Sequence, residues 1–151
     1  MRKVMSLAAL FLGFVFVFSA CSKYEEGPMV SLKSKEERIA GEYTVSEVYK
    51  NGQYDEDMTE EQDGNEYIFN KDGTGSVSGS LEWEGVTFTI SGDMEWELSD
   101  DKVKLLMRTK SEGEDEWSEW EETTILKLED EEMWLEGYDD DDNLIEMHYV
   151  E

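Results

Sequence analysis

Between Val86 and Leu98 the sequence alternates strictly between two kinds of residue. Every even-numbered position is apolar or glycine, and every odd-numbered position is polar. A period of two is typical of a β-strand that buries one face and exposes the other to water. Thirteen residues would extend about 43 Å at roughly 3.3 Å per residue, which is too long for a straight strand in a domain of this size. The stretch therefore predicts a long strand that bends near residues 91–93, as strands do in strongly curved sheets.

The same alternation, interrupted by short turns, recurs along most of the chain after Gly41. It predicts eight strands, at residues 42–50, 66–70, 76–84, 86–98, 102–110, 117–128, 132–138 and 144–150. Sequential hairpins with one apolar face predict an antiparallel meander. Closing the meander into a barrel removes its exposed edges, and glycines inside the strands suit the necessary curvature. We therefore expect an all-β, eight-stranded barrel, with an open β-sandwich as the alternative.

Other local patterns refine this prediction. Ser34 followed by Glu37 has the spacing of a capping box and predicts a short helix before the first strand. In that strand a bulge is expected to bring Val48 onto the face of Tyr43 and Val45. The acidic stretch 54–64 has no clear period and is expected to be a loop. Within residues 117–128, the alternation places four residues on one face: Trp120, Thr124, Leu126 and Leu128.

The N-terminus has the layout of a secretory signal. Arg2 and Lys3 precede an apolar run at residues 4–18, too short for the roughly 20 residues that span a bilayer. The run ends in small residues followed by Cys21, the only cysteine. This resembles the bacterial lipobox cut by signal peptidase II, which implies removal of residues 1–20 and diacylglycerol with palmitate on Cys21. Residues 21–33 are then a tether and residues 34–151 the folded domain. The alternative is a secreted protein with one free cysteine.

Charge restricts the possible partners. The chain carries 39 acidic and 13 basic residues, a formal charge of −26, and a field of this sign repels nucleic acid and anionic membrane surfaces. High charge alone would favour disorder, but five tryptophans and seven tyrosines in regular positions predict a folded domain. With Cys21 lipidated, the chain has no thiol for a disulfide, a nucleophile or a thiolate metal site. We expect a monomer that contacts the membrane through its lipid.

Two segments of the mature chain resemble a known family. Gly41-Glu42-Tyr43 follows the predicted helix, and Phe69-Asn70-Lys71-Asp72-Gly73-Thr74-Gly75 forms a predicted hairpin. This layout is similar to that of the lipocalin-like lipoproteins of Bacteroidetes. Ser22-Lys23-Tyr24-Glu25-Glu26, directly after the anchor, resembles their export signals. The resemblance implies a lipocalin-like barrel and delivery to the outer membrane, on either its cell-surface or its periplasmic side.

Three Glu-Trp-Glu triplets, centred on Trp83, Trp96 and Trp120, carry the clearest candidate for a binding site. Period two puts each tryptophan on the opposite face from its two glutamates. Five residues are expected to line one barrel interior: Trp83, Phe88, Trp96, Met107 and Trp120. They form either an aromatic pocket for a small apolar ligand or sugar or a packed core. We expect a packed core with at most a shallow mouth.

No pattern in the chain predicts a metal site or a catalytic group. Asp55, Asp57, Thr59, Asp63 and Glu66 match the ligand positions of a calcium loop, but its required glycine is replaced by Glu60. The four aspartates at 139–142 predict a solvated hairpin turn rather than a calcium site. His148 is the only histidine, so a triad or histidine metal cluster is excluded.

These features predict a protein of the cell envelope rather than an enzyme. We expect a non-enzymatic lipoprotein that binds a small apolar or glycan ligand, or docks to an envelope partner, without a cofactor. An acidic inhibitor of a cationic enzyme such as lysozyme is the alternative.

Overall fold

The structure, a computed structural model, describes residues 32–83 and 86–151. The predicted signal peptide, Cys21 and all but the end of the tether lie outside the described residues. Two short helices and nine strands make up the described part: α1 Lys35–Ile39, β1 Gly41–Lys50, β2 Gln53–Tyr54, α2 Glu56–Glu61, β3 Glu66–Phe69, β4 Thr74–Trp83, β5 Val86–Leu98, β6 Lys104–Ser111, β7 Glu121–Leu128, β8 Glu132–Tyr138 and β9 Leu144–Val150. Among the described helices, none is long and apolar enough to cross a membrane.

Eight of the strands form a closed antiparallel barrel. Strands β3 to β9 follow one another in sequence order, and β1 joins both ends by pairing with β3 and with β9. Strand β2 adds only a two-residue ladder to the end of β1. Closure leaves the meander without a long free edge around its wall. The predicted eight-stranded all-β barrel is confirmed, and the open sandwich is wrong.

The predicted bulge in β1 is also present. The pairing of β1 with β9 shifts register between Val45 and Glu47, so that Tyr43, Val45 and Val48 are all buried. The bulge leaves the Val48 N–H to donate to the Thr59 hydroxyl, at 3.0 Å. One extra residue therefore turns the second half of the strand and fixes a neighbouring segment against it.

Helix α1 closes one end of the barrel, where β1 begins and β7 ends. Its capping box has the predicted geometry, since Glu37 N–H donates to Ser34 Oγ at 3.1 Å and Ser34 N–H donates to Glu37 Oε2 at 3.0 Å. Ile39 is fully buried. The buried Arg38 side chain donates to the Leu128 carbonyl at 2.8 Å, which ties the helix to the end of β7.

Two glycines allow neighbouring strands to approach closely. A Cβ on Gly75 would lie 2.2 Å from the Ile68 carbonyl oxygen, and one on Gly92 would lie 2.8 Å from the Lys110 carbonyl oxygen. Neither position can hold a side chain without moving backbone. Glycine at these two positions is therefore a requirement of the curved wall.

Strands β4 and β5 are longer than their neighbours and continue past them. They pair with each other as far as Trp83 opposite Val86. Strand β3 pairs with β4 only as far as Ser78, and β6 pairs with β5 only as far as Gly92. Residues 79–83 and 86–91 thus form a two-stranded ribbon, here called the arm, about 17 Å long at roughly 3.3 Å per residue. Its base lies beside the segment before β3, since a Cβ on Gly79 would be 2.0 Å from Asn65 Oδ1.

Two local predictions are wrong. The stretch 54–64, predicted to be a loop, contains α2, which Asp55 caps by accepting the Met58 N–H at 2.9 Å. Strand β7 starts only at Glu121, and a register shift between Ile125 and Lys127 breaks its alternation. The inward face is accordingly the predicted one only at Leu128, which is buried; Ile125 is buried against the prediction, and Trp120 is 40 % exposed.

Candidate functional site

The barrel end opposite α1 is partly hollow. There β7 begins at Glu121, β8 ends at Tyr138 and β9 begins at Leu144. Two cavities, of about 210 Å³ and about 200 Å³, lie at this end. They share Glu121, Met147 and Tyr149 as lining residues, so they adjoin each other. We call the pair the open-end cavities.

Methionine is the characteristic side chain of these walls. Met58 and Met147 line the first cavity, and Met94, Met107 and Met147 line the second. An unbranched thioether side chain adapts to ligands of different shape and makes favourable contacts with aromatic rings. Four of the chain's eight methionines thus meet where an apolar guest would enter.

Two tyrosines stiffen the boundary between the cavities. Tyr67 and Tyr149 meet edge to face at 5.3 Å between ring centroids. The Tyr67 hydroxyl donates to Gln62 Oε1 at 2.9 Å, and the Tyr149 hydroxyl donates to the Met147 sulfur at 3.5 Å. Burial raises the pKa of both phenols because it penalises the charged form. Both rings therefore present neutral, largely apolar surfaces to the cavities.

Among the described residues, two acidic groups line the cavities at this end, Asp139 the first and Glu121 both. Asp139 accepts bonds from the backbone N–H groups of Asp141 and Asn143, at 3.0 and 2.8 Å. Bonds from Asn143 lower the pKa of the Asp139 carboxyl, so it remains ionised within the predicted β8–β9 turn. Glu121 is exposed and lines both cavities. An entering molecule therefore meets carboxylates in the lining, with Arg108 beside the second cavity, and apolar surface inside.

The five predicted ligand residues do not form one set. Trp96 is 4 % exposed, and its indole N–H lies 3.1 Å from the carbonyl oxygens of both Asn70 and Thr74. It belongs to the packed core, whereas Met107 lines the second open-end cavity. The side chains of Trp83 and Phe88 lie outside the described part of the structure.

Trp120, the fifth predicted residue, does not join the interior. The Arg108 guanidinium lies over its ring at 4.6 Å and over the ring of Trp117 at 5.1 Å. Glu95 accepts from Arg108 Nε at 2.8 Å, and these two residues face each other across β5 and β6. The cluster covers the polar face of the wall, so the expectation that Trp120 faces the lumen is wrong.

The single histidine also lies on the outer side of the wall. The His148 ring stacks on Trp134 with centroids 4.0 Å apart and planes 6° apart. Its Nδ1 is 3.1 Å from Glu47 Oε2, and its Nε2 is 2.6 Å from Glu146 Oε1. These contacts fix both ring nitrogens of a residue that is only 7 % exposed. The arrangement joins β1, β8 and β9 and is a structural one.

A larger hollow of about 520 Å³ lies outside the barrel, at the base of the arm. About half of its wall is polar, and some of the polar groups are already paired: Ser91 Oγ donates to Glu112 at 2.5 Å, and Lys110 Nζ is 3.7 Å from Asp93. The polar share of this wall is much larger than in the open-end cavities. The open-end cavities are smaller but have the composition of a binding site.

Most of the open-end cavity residues were not singled out by sequence reasoning. Met147 and Tyr149 follow the inward alternation of the last strand, which was a usable signal. Met58 carried no such signal, because the residues around it show no helical period and predict a loop. No protein-family model, curated protein or solved structure matches this chain, so its function has to be inferred from the barrel itself.

Proposed function

We propose that this protein is a non-enzymatic lipoprotein of the bacterial outer membrane, resembling the lipocalin-like lipoproteins, whose barrel binds a small apolar ligand at its open end. The observation that carries the proposal is the pair of adjoining cavities lined by methionine and tyrosine. Together they reach the lower part of the roughly 300 to 1,000 Å³ range of small-molecule sites. A compact guest is therefore favoured over a large one.

The wall chemistry further restricts the guest. Leu135, Ile145 and the methionines offer apolar surface, while Glu121 and Asp139 place carboxylates in the lining. Entry of an anion would be opposed by these groups and by the overall charge of −26. A neutral or cationic molecule with an apolar body fits best. A glycan, which needs many polar partners, fits the cavities less well than it fits a polar groove.

A matched pair of variants tests the binding site. Glu121 lines both cavities, whereas the next residue, Glu122, pairs outside with Lys104. We expect Glu121→Phe to obstruct the cavities and weaken binding of the neutral fluorescent probe N-phenyl-1-naphthylamine roughly tenfold or more, about 1.4 kcal/mol. Glu122→Phe removes the same charge and should leave probe affinity nearly unchanged. Fluorescence titration measures both.

An equal loss of probe affinity in the two variants, or no saturable probe binding by the parent chain, would contradict the proposed binding site.

The salt response separates the proposal from the alternative, an acidic inhibitor. Binding of a neutral probe should be nearly independent of ionic strength, whereas capture of a cationic enzyme would weaken steeply as salt screens the charges.

The proposed lipid anchor depends on the small residues before Cys21 and on Cys21 itself, which resemble a lipobox. The lipobox resemblance requires that lipid is attached to this sulfur, since no other thiol exists in the chain. We expect Cys21→Ala to abolish incorporation of labelled palmitate and to release the protein from the membrane fraction or leave an uncleaved precursor. Continued labelling of that variant would remove the anchor from the proposal while leaving the ligand site untouched.

A further inference from the structure

The arm presents an unpaired strand edge. Beyond Gly92, no described strand pairs with β5 on the side away from β4, because the ladder with β6 stops there. Positions 86–90 therefore have neighbours only on the β4 side among the described residues. A two-stranded ribbon is only marginally stable by itself. A free edge of this kind is also a template for adding another strand.

The sequence of this edge is well suited to strand pairing. It reads Val86-Thr87-Phe88-Thr89-Ile90, all β-branched or aromatic residues, without charge, glycine or proline. Thr87 and Thr89 are exposed, and Ile90 is 55 % exposed although it shares the parity of the buried Met94. In a chain of −26 net charge, the absence of charged residues here means that no like charges face each other directly across the proposed pair, although the rest of the two surfaces still repel.

The five residues are also nearly palindromic about Phe88. If the strand pairs antiparallel with its own copy around a two-fold axis at Phe88, Thr87 lies opposite Thr89, and Val86 lies opposite Ile90. Threonine pairs and pairs of β-branched residues stabilise antiparallel ladders. Self-complementary edges of this kind are what an isologous dimer requires.

We propose that β5 pairs with β5 of a second copy through residues 86–90, joining two arms into a four-stranded intermolecular sheet. This goes beyond ligand binding and replaces the expectation of a monomer. Because the rest of the surface is strongly acidic, the dimer should tighten as salt screens the repulsion between copies. That response is opposite to the one expected for a complex held by opposite charges.

Molar mass in solution tests the pairing without disturbing the barrel. For the purified full chain, sedimentation should show a concentration-dependent doubling of mass that increases with salt. Thr87→Glu combined with Thr89→Glu places carboxylates opposite each other in the proposed register and should abolish the doubling. Thr44→Glu combined with Thr109→Glu adds the same charge at exposed positions elsewhere and should retain it. Circular dichroism confirms that each variant folds.

Cysteine crosslinking tests the register. Directly opposed residues of an antiparallel pair have Cα atoms about 4.5 to 5.5 Å apart, within the range that a disulfide spans. In a Cys21→Ala background, Phe88→Cys should therefore crosslink to its own copy under mild oxidation, whereas the cysteine-free chain and Ser80→Cys, on the other edge of the arm, should not. A chain that stays monomeric at every salt and does not crosslink at position 88 would overturn the proposal. Equal crosslinking at positions 80 and 88, or association with vesicles or other proteins alone, would overturn it too.

Discussion

Replacing Trp96 with alanine should lower the free energy of unfolding by about 3 to 5 kcal/mol, as large-to-small aromatic substitutions in a packed core do. The side chain is 4 % exposed and meets Phe69 edge to face at 6.0 Å. The substitution would also leave the carbonyls of Asn70 and Thr74 without the indole donor that both now share. Urea denaturation measures the loss directly.

Trp120→Ala is the matched control. This tryptophan is 40 % exposed and packs beneath Arg108 on the outside of the wall. Trp120→Ala should lower the free energy of unfolding by well under half as much as Trp96→Ala does, because an exposed cation–π contact contributes about 0.5 to 1 kcal/mol. If the two alanine variants were equally unstable, the division between core and outer tryptophans would be wrong. Loss of probe binding in Trp96→Ala at unchanged stability would place this residue in a pocket instead.

Ile39→Ala should lower the free energy of unfolding by about 2 to 5 kcal/mol, the usual range for a buried isoleucine. Ile39 is fully buried and lies in the helix that closes the barrel. Its removal leaves a void between the helix and the first strand, where the Tyr43 hydroxyl donates to the Arg38 carbonyl at 2.8 Å. Thermal or urea unfolding checks the value.

Leu32→Ala provides the comparison for this variant. Leu32 is a similar aliphatic residue near the same helix but is fully exposed, so its truncation should leave stability within about 0.5 kcal/mol of the parent. Comparable losses from the two substitutions would mean that α1 does not close the barrel in solution. Unchanged probe binding in Ile39→Ala would in turn show that the closed and open ends act independently.

Trp96→Ala and Ile39→Ala both change the closed end of the barrel, whereas the proposed ligand site lies at the open end. The separation has a physical basis. The closed end is filled by large side chains such as Trp96 and Phe69, whereas the open end is lined by methionines and by residues at strand termini. An eight-stranded barrel is wide enough either to be filled by side chains or to hold one small ligand. In this barrel, side chains fill the closed end, and the open end has room for one small ligand.

Local sequence determined much of the fold. The alternation in β5, the hairpin at residues 70–74 and the capping box of Ser34 all predict structure correctly, because each depends on neighbours a few residues apart. Gly73, for example, has a φ of 86°, a conformation that the turn needs and that glycine adopts without strain. Alternation over so many strands, with short turns, left little choice but a curved antiparallel sheet.

Helix α2 shows where local reasoning failed. Its acidic residues carry no helical period, yet the segment docks on β1: Val48 N–H donates to the Thr59 hydroxyl, and Asp55 N–H donates to the Val48 carbonyl at 2.9 Å. Met58 adds an apolar contact with the core. These partners are supplied by the bulged strand, so tertiary contact decided the helix.

By itself, then, the sequence determined which residues of most strands face inward, where the main turns fall and that the sheet is antiparallel, because pleat and turn geometry are local properties. Only the tertiary structure decided that a bulge in β7 turns Ile125 inward, that Trp120 lies beneath Arg108 and that methionines from α2, β5, β6 and β9 meet at one end. Those outcomes depend on the pairing register of distant strands. A register shift of one residue reverses the face of every residue that follows it.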